Sequence, residues 1–158
     1  MDVFGPNSAR LERPAKRGAG YRDYTAQVLD HYENPRNVGE LENPDAVAWV
    51  QSPVHSDQLK LTLRIIGGVI AEARFRAFGC GAAIASSSMA TVLLEGRSLE
   101  EAARLTRQEV SEALGGLPQS KLHCSVLAEE AVRRALADYS SRSQHHPAPR
   151  TDGRGKRR

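Results

Sequence analysis

The sequence predicts an α+β domain in which helices cover one face of a sheet. Two alternating segments joined by Gly67-Gly68 predict an antiparallel hairpin, because a two-glycine turn suits the twist of paired strands. Helix signals follow the strands instead of alternating with them, which is typical of α+β folds. With 158 residues, 40% of them apolar and 26% charged, the chain fits one folded domain.

Three segments carry strand patterns. Residues 59–65 alternate leucine or isoleucine with polar side chains, and residues 71–77 do so again after the glycine turn. This alternation places one side of each strand in a core. A shorter β-like run, Ala46–Gln51, precedes them.

Helical spacing and end signals predict five helices. The first helix carries apolar residues at helical spacing and ends at Asn34-Pro35. The second is rich in small residues and ends before Gly96. Two short helices follow, and they begin with the capping boxes Ser98–Glu101 and Thr106–Glu109. The predicted spans are 24–33 for the first, 82–95 for the second and 123–139 for the last.

Charge and composition divide the chain into three parts. We expect a disordered extension over 1–20, a folded domain over 21–140 and a basic disordered tail over 141–158. The net charge is +2 in the extension and +5 in the tail, so the middle is acidic at −4. We therefore expect no nucleic-acid partner, and the lack of a long apolar run predicts no membrane partner. The alternative is contact of the basic tail with a nucleic acid or a membrane surface. Few cysteines and the lack of an apolar leader predict a bacterial cytoplasmic protein, with the mitochondrial matrix as the alternative.

The two cysteines are the first candidate chemical groups. Cys80 lies between two glycines where a strand meets a helix, and Cys124 lies near the start of the last helix. The positive end of a helix favours thiolate, the form that binds metals and attacks sulfur. The flanking glycines would let the backbone approach a bulky ligand. The alternative is that both are small buried apolar residues.

Three further residues could join the cysteines. His55 and Asp57 lie in the loop between the first two strands, and His123 precedes Cys124. If the three loop junctions meet at one end of the sheet, the five residues suit zinc or an iron–sulfur centre. Alternatively, residues 53–57 form a polar turn capped by Asp57. A cysteine hydrolase is disfavoured, because neighbours on a helix point about 100° apart.

At these residues the chain resembles the iron–sulfur cluster scaffold family of IscU and NifU N-terminal type, from about residue 24 to 139. The segments that carry the resemblance are VLDHYENPRNVG (Val28–Gly39), ARFRAFGCGAAIASSS (Ala73–Ser88), LLEGRSLEEA (Leu93–Ala102) and KLHCSVLAEEAV (Lys121–Val132). The resemblance implies a three-stranded, mainly antiparallel sheet with helices on one face. It also implies a scaffold, not an enzyme, that builds a transient two-iron two-sulfur cluster and passes it to apo-proteins.

The resemblance also implies a ligand set. Cys80, His123, Cys124 and Asp57 match ligand positions of the family, and Cys124 would accept persulfide sulfur. His55 stands where the family has its first cysteine. A histidine ligand would raise the reduction potential of a cluster, as in Rieske centres. It could instead leave a zinc- or iron-binding regulator of a cysteine desulfurase.

The partners implied are a cysteine desulfurase, apo iron–sulfur proteins and an Hsp70-type chaperone. The family's chaperone-recognition segment corresponds to residues 117–121, where Leu117, Pro118 and Lys121 match and the two central residues differ.

Overall fold

A computed structural model describes residues 23–145. They form a sheet of three strands, five helices and one 3-10 turn. In chain order the elements are α1 (Ala26–Glu33), β1 (Ala46–Gln51), β2 (Gln58–Ile66), β3 (Val69–Phe78), α2 (Gly81–Leu94), α3 (Leu99–Ala103), α4 (Arg107–Ala113), the 3-10 turn (Gln119–Lys121) and α5 (Leu122–His145).

The sheet is antiparallel throughout, with strand order β1-β2-β3. Leu61 pairs with Ala48 on one side and with Phe75 on the other. Gly67 and Gly68 form the β2–β3 turn with φ values of 60° and 77°, a conformation that favours glycine. The predicted hairpin and the predicted three-stranded sheet are confirmed.

The helices lie on one face of this sheet, as predicted. Helix α5 packs across β1 and β2, while α2 packs on β3 and against α1. Alternate residues of every strand are buried beneath them: Ala46, Ala48, Val50, Leu59, Leu61, Leu63, Ala73, Phe75 and Ala77. Within the described residues, no helix is both long enough and apolar enough to cross a bilayer.

The last helix is longer than the sequence indicated. It was expected to end near Tyr139, with a tail from Ser141, but α5 continues to His145. Its C-terminal turns are tied to the start of β1, because Asp138 accepts the Val47 backbone N–H and Arg142 donates to the Pro44 carbonyl. No glycine or proline interrupts the helix before residue 147. Residues 1–20 and 146–158, where the extension and the rest of the tail were predicted, lie outside the described residues.

The two capping boxes have different outcomes. Ser98 and Glu101 exchange both hydrogen bonds at the start of α3, as predicted. At α4, Thr106 accepts the Glu109 N–H, but the Glu109 carboxylate pairs with Arg97 instead of returning to the cap. That ion pair joins α4 to the segment that follows α2.

Candidate metal centre

Cys80 is the N-cap residue of α2. The turn out of β3 is made by Gly79, whose φ of +155° suits glycine. The Cys80 backbone is extended, and its carbonyl accepts the N–H groups of Ala83 and Ile84 in the first turn of α2. The side chain is partly buried at this junction.

Cys124 reaches the same place from the other side of the domain. It is the third residue of α5, which starts directly after the 3-10 turn, and only 2% of its surface is exposed. Its Sγ lies 3.8 Å from the Sγ of Cys80. The fold therefore brings together two cysteines that are 44 positions apart.

Asp57 adds a buried carboxylate to the cysteine pair. It directly precedes β2 and is 6% exposed. Its Oδ2 lies 3.6 Å from the Cys124 Sγ and 3.2 Å from the His123 Nε2. Gly79 makes this approach possible, because a Cβ at that position would lie 2.5 Å from the Asp57 Oδ1.

The two histidines stack at the edge of the site. Their ring centroids are 3.7 Å apart and the rings are inclined by 21°. His123 is partly buried, with its Nε2 3.6 Å from the Cys124 Sγ, whereas His55 is exposed. The Ser52 hydroxyl oxygen accepts the backbone N–H groups of Val54 and His55, so it holds this loop in shape.

The distances match those between ligands of one tetrahedral metal ion. Two sulfurs bound at about 2.3 Å lie about 3.8 Å apart, and a sulfur and a nitrogen or oxygen bound at about 2.1 Å lie about 3.6 Å apart. The Cys80–Cys124 separation is 3.8 Å, and Cys124 lies 3.6 Å from both His123 and Asp57. The ligand atoms of Asp57, His123 and Cys124 all lie within 4.8 Å of one another. These three ligand atoms are therefore close enough to hold one cation, and Cys80 adjoins them through its contact with Cys124.

The two thiols differ in pKa because they are hydrogen-bonded to each other. A hydrogen bond from the Cys124 thiol, assisted by the Ala83 backbone N–H, lowers the pKa of Cys80 to about 6 despite burial. The same hydrogen bond raises the pKa of Cys124 above its ordinary value, and burial and the charges of Cys80 and Asp57 add to this. The expectation of a thiolate at Cys124 is thus wrong for the metal-free pair, since the neighbouring sulfur carries the charge first. A bound cation would favour deprotonation of both.

All five predicted residues lie in this region. Cys80, Cys124, Asp57 and His123 are linked by the contacts above, and His55 joins them by stacking on His123. Their role as ligands stays a prediction. The turn-capping role considered for Asp57 belongs to Ser52 instead.

Two local expectations are corrected. The glycines beside Cys80 do not open space for a ligand. The space at Gly79 is occupied by Asp57, and a Cβ at Gly81 would lie 3.3 Å from the Tyr32 ring. Adjacent His123 and Cys124 were expected to point apart, yet the imidazole reaches the sulfur because both side chains turn towards Asp57.

The role of two supporting residues was not predicted from the sequence. Ser52 shapes the loop before Asp57 without being a ligand, and Gly79, noted only as a neighbour of Cys80, makes room for the Asp57 carboxylate. A serine three positions before His55 is a common turn signal, and it could have suggested the loop contact.

Comparisons with known proteins agree with this architecture. A family model described as the NifU-like N-terminal domain matches residues 23–146. The iron–sulfur cluster assembly scaffold protein IscU 1 of Archaeoglobus fulgidus is 49% identical over 116 residues, which cover 73% of this chain and 76% of the relative. The Escherichia coli K12 scaffold protein IscU is 45% identical over 125 residues, covering 77% of this chain and 97% of the relative.

A solved structure has the same fold. The crystal structure of a NifU-like protein (N-terminal) from Brucella abortus aligns with a TM-score of 0.61 at 21% identity, covering 77% of this chain and 96% of that one. The family match spans the sheet, the helices and all five candidate ligands. The chain belongs to the family of NifU-like N-terminal domains.

Proposed function

We propose that this chain is a scaffold on which iron–sulfur clusters are assembled before they pass to apo-proteins. The observation that carries the proposal is the 3.8 Å separation of its two cysteine sulfurs, beside Asp57 and His123. Relatives at 45–49% identity are named as scaffolds for this assembly, which supports the same role here. The cluster is the cargo of such a protein.

We propose Cys80, Cys124, His123 and His55 as the residues that hold a two-iron two-sulfur cargo. Thiolate and neutral imidazole are both known ligands of iron in such clusters. His55 is exposed and stacked on His123, so a modest rotation would turn its ring nitrogen towards a cargo at the mouth of the site. Fewer thiolates would give the cargo a higher reduction potential than four cysteines do.

Asp57 is proposed as the exchangeable ligand. A carboxylate binds iron less tightly than a thiolate does, so it can give up its place to a recipient's ligand. Its oxygen already lies 3.6 Å from the Cys124 sulfur. Asp57→Ala should therefore change the rate of transfer to an apo-ferredoxin. An unchanged rate would assign the carboxylate to holding the loop.

We propose a cysteine desulfurase as the sulfur donor and apo iron–sulfur proteins as recipients. An Hsp70-type chaperone is a further candidate. The segment of this chain that such a chaperone would recognise is 117–121, where Gln119 and Ser120 are exposed in the 3-10 turn before α5. This turn leads directly into Cys124, so binding there would act close to the cargo.

A second candidate is a zinc- or iron-loaded regulator of a desulfurase. The distances among Asp57, His123 and Cys124 favour it, because three ligand atoms within 4.8 Å of one another can hold a single ion. In this form Asp57, His123 and Cys124 hold the ion, and Cys80 and His55 are the candidates for its remaining place.

Anaerobic reconstitution tests the scaffold function. The purified chain is supplied with ferrous iron and sodium sulfide, and the expected result is sulfide-to-iron absorption in the visible range with iron and acid-labile sulfide bound in equal amounts. The Cys80→Ser, Cys124→Ser double variant is the matched control. Folded protein that binds stoichiometric zinc or iron but no sulfide would reject the scaffold function in favour of the regulator.

A further inference from the structure

The chain has two cysteines, and the structure places both in the same site. Any sulfur atom delivered to one of them is therefore next to the other. Cys124 is almost completely buried, so the nearest nucleophile to a sulfur carried on it is the side chain packed against it. Cys80 is already in contact, at 3.8 Å.

We propose that Cys80 acts as a resolving thiol that converts sulfur bound to Cys124 as a persulfide into hydrogen sulfide, leaving a Cys80–Cys124 disulfide. The inference rests on the proposed function, because it presumes that the scaffold receives its sulfur as a persulfide. It assigns to the chain a reductive step that needs no external electron donor in that turnover.

The step balances within the site. The Cys80 sulfur attacks the inner sulfur of the Cys124 persulfide, so the Cys80 Sγ–Cys124 Sγ bond forms and the bond to the outer sulfur breaks. The outer sulfur keeps the electron pair of that bond and its own proton, leaves as hydrosulfide, and takes a further proton from water to become hydrogen sulfide. The two cysteines are oxidised to a disulfide, and the delivered sulfur is reduced by two electrons.

The geometry requires a small movement. The sulfurs must close from 3.8 Å to the disulfide length of about 2.0 Å, a shift of about 1.8 Å shared by two side chains. Attack of the Cys80 sulfur on the outer sulfur of the persulfide leads to the same products. It moves the persulfide to Cys80, whose inner sulfur then faces the Cys124 thiol at the same distance. Both routes end in the same disulfide and the same sulfide.

The released sulfide appears where iron is proposed to bind. Asp57 and His123 lie 3.6 Å from the Cys124 sulfur and do not take part in the disulfide. They can therefore stay on a metal ion while the sulfurs react. A dithiol reductant must then restore both thiols before the next sulfur is accepted, so the reaction that follows is a thiol–disulfide exchange.

The test uses the full chain, reduced and free of metal, under argon. One equivalent of glutathione persulfide is added, small molecules are removed at once, and sulfide and protein mass are measured over time. The expected wild-type result is release of up to one sulfide per chain and a product about 2 Da lighter than the reduced protein. The Cys80→Ser variant should keep the sulfur, with a mass about 32 Da higher.

Cys80→Ala is the second variant, so that a folding defect of the serine protein does not decide the outcome. Cys124→Ser is the matched control, which retains one thiol and should release no sulfide. Wild-type protein that keeps the added sulfur, or that releases sulfide no faster than Cys80→Ser, would overturn the inference. Reconstitution with supplied iron and sulfide does not use the persulfide, so its success or failure judges the scaffold function separately.

Discussion

Replacing Gly79 by alanine tests whether metal binding requires the observed position of the Asp57 carboxylate. The new Cβ would lie 2.5 Å from the Asp57 Oδ1 and 2.9 Å from its Cγ, so the carboxylate must move about 0.9 Å to reach ordinary contact. The φ of +155° adds backbone strain of about 1–3 kcal/mol. Metal sites tolerate about 0.5 Å of misplacement, so we expect about 10–100-fold weaker metal binding.

Gly39→Ala is the matched control. Its φ of +128° imposes similar strain, but nothing lies within 4 Å of the new Cβ. Urea unfolding should show a loss of free energy of unfolding in both variants, larger in Gly79→Ala because Asp57 must also be displaced, while cobalt(II) binding, followed by its visible absorption, should weaken only in Gly79→Ala. If Gly79→Ala binds cobalt as tightly as Gly39→Ala, Asp57 is not a ligand and the three-residue metal site is wrong.

The remaining predictions concern one site residue, one buried histidine and one helix cap. His55→Cys should lower the reduction potential of a reconstituted cluster by on the order of 100 mV in voltammetry, and an unchanged value would remove His55 from the ligand set. Burial lowers the pKa of His31, which bonds Ser88, so charging it opposes folding. Stability should fall as the pH drops below about 6.5, and His31→Gln should show a shallower fall in urea titrations. Ser98→Ala breaks the α3 capping box and should cost about 1 kcal/mol in urea unfolding, whereas Ser120→Ala, in an exposed turn, should cost less than about 0.5 kcal/mol. An equal loss of free energy of unfolding in Ser98→Ala and Ser120→Ala would show that the Ser98 cap does not stabilise α3.

The hairpin and the capping box at Ser98 could be predicted because their causes are local. Two glycines with positive φ fix the turn, and the alternation in β2 and β3 fixes which side is buried. The end of α5 could not be predicted in this way. It depends on Arg142 and Asp138 meeting the start of β1, almost a hundred residues earlier in the chain.

The candidate site, like the fold, could be predicted from the sequence only in part. Residue types and junction positions indicated which five side chains could meet. They gave no distances, because the gap between Cys80 and Cys124 is set by how α5 packs beside α2. The protonation of Cys124 was misjudged for a related reason. Helix position predicts a local field, but it does not reveal a second sulfur at 3.8 Å, whose hydrogen bond with the Cys124 thiol raises the pKa of Cys124.

The closeness of the two sulfurs gives the site two uses that exclude each other. Thiolates bound to a metal are not free to attack a persulfide, and sulfurs joined in a disulfide cannot bind a metal. In a scaffold with additional cysteines, separate sulfurs could divide these tasks, whereas in this chain both proposed tasks fall to Cys80 and Cys124. Sulfide release and cluster retention therefore have to follow one another, with reduction of the disulfide between them. Asp57, His123 and His55 carry no sulfur, so they are the groups able to keep iron in place during that interval.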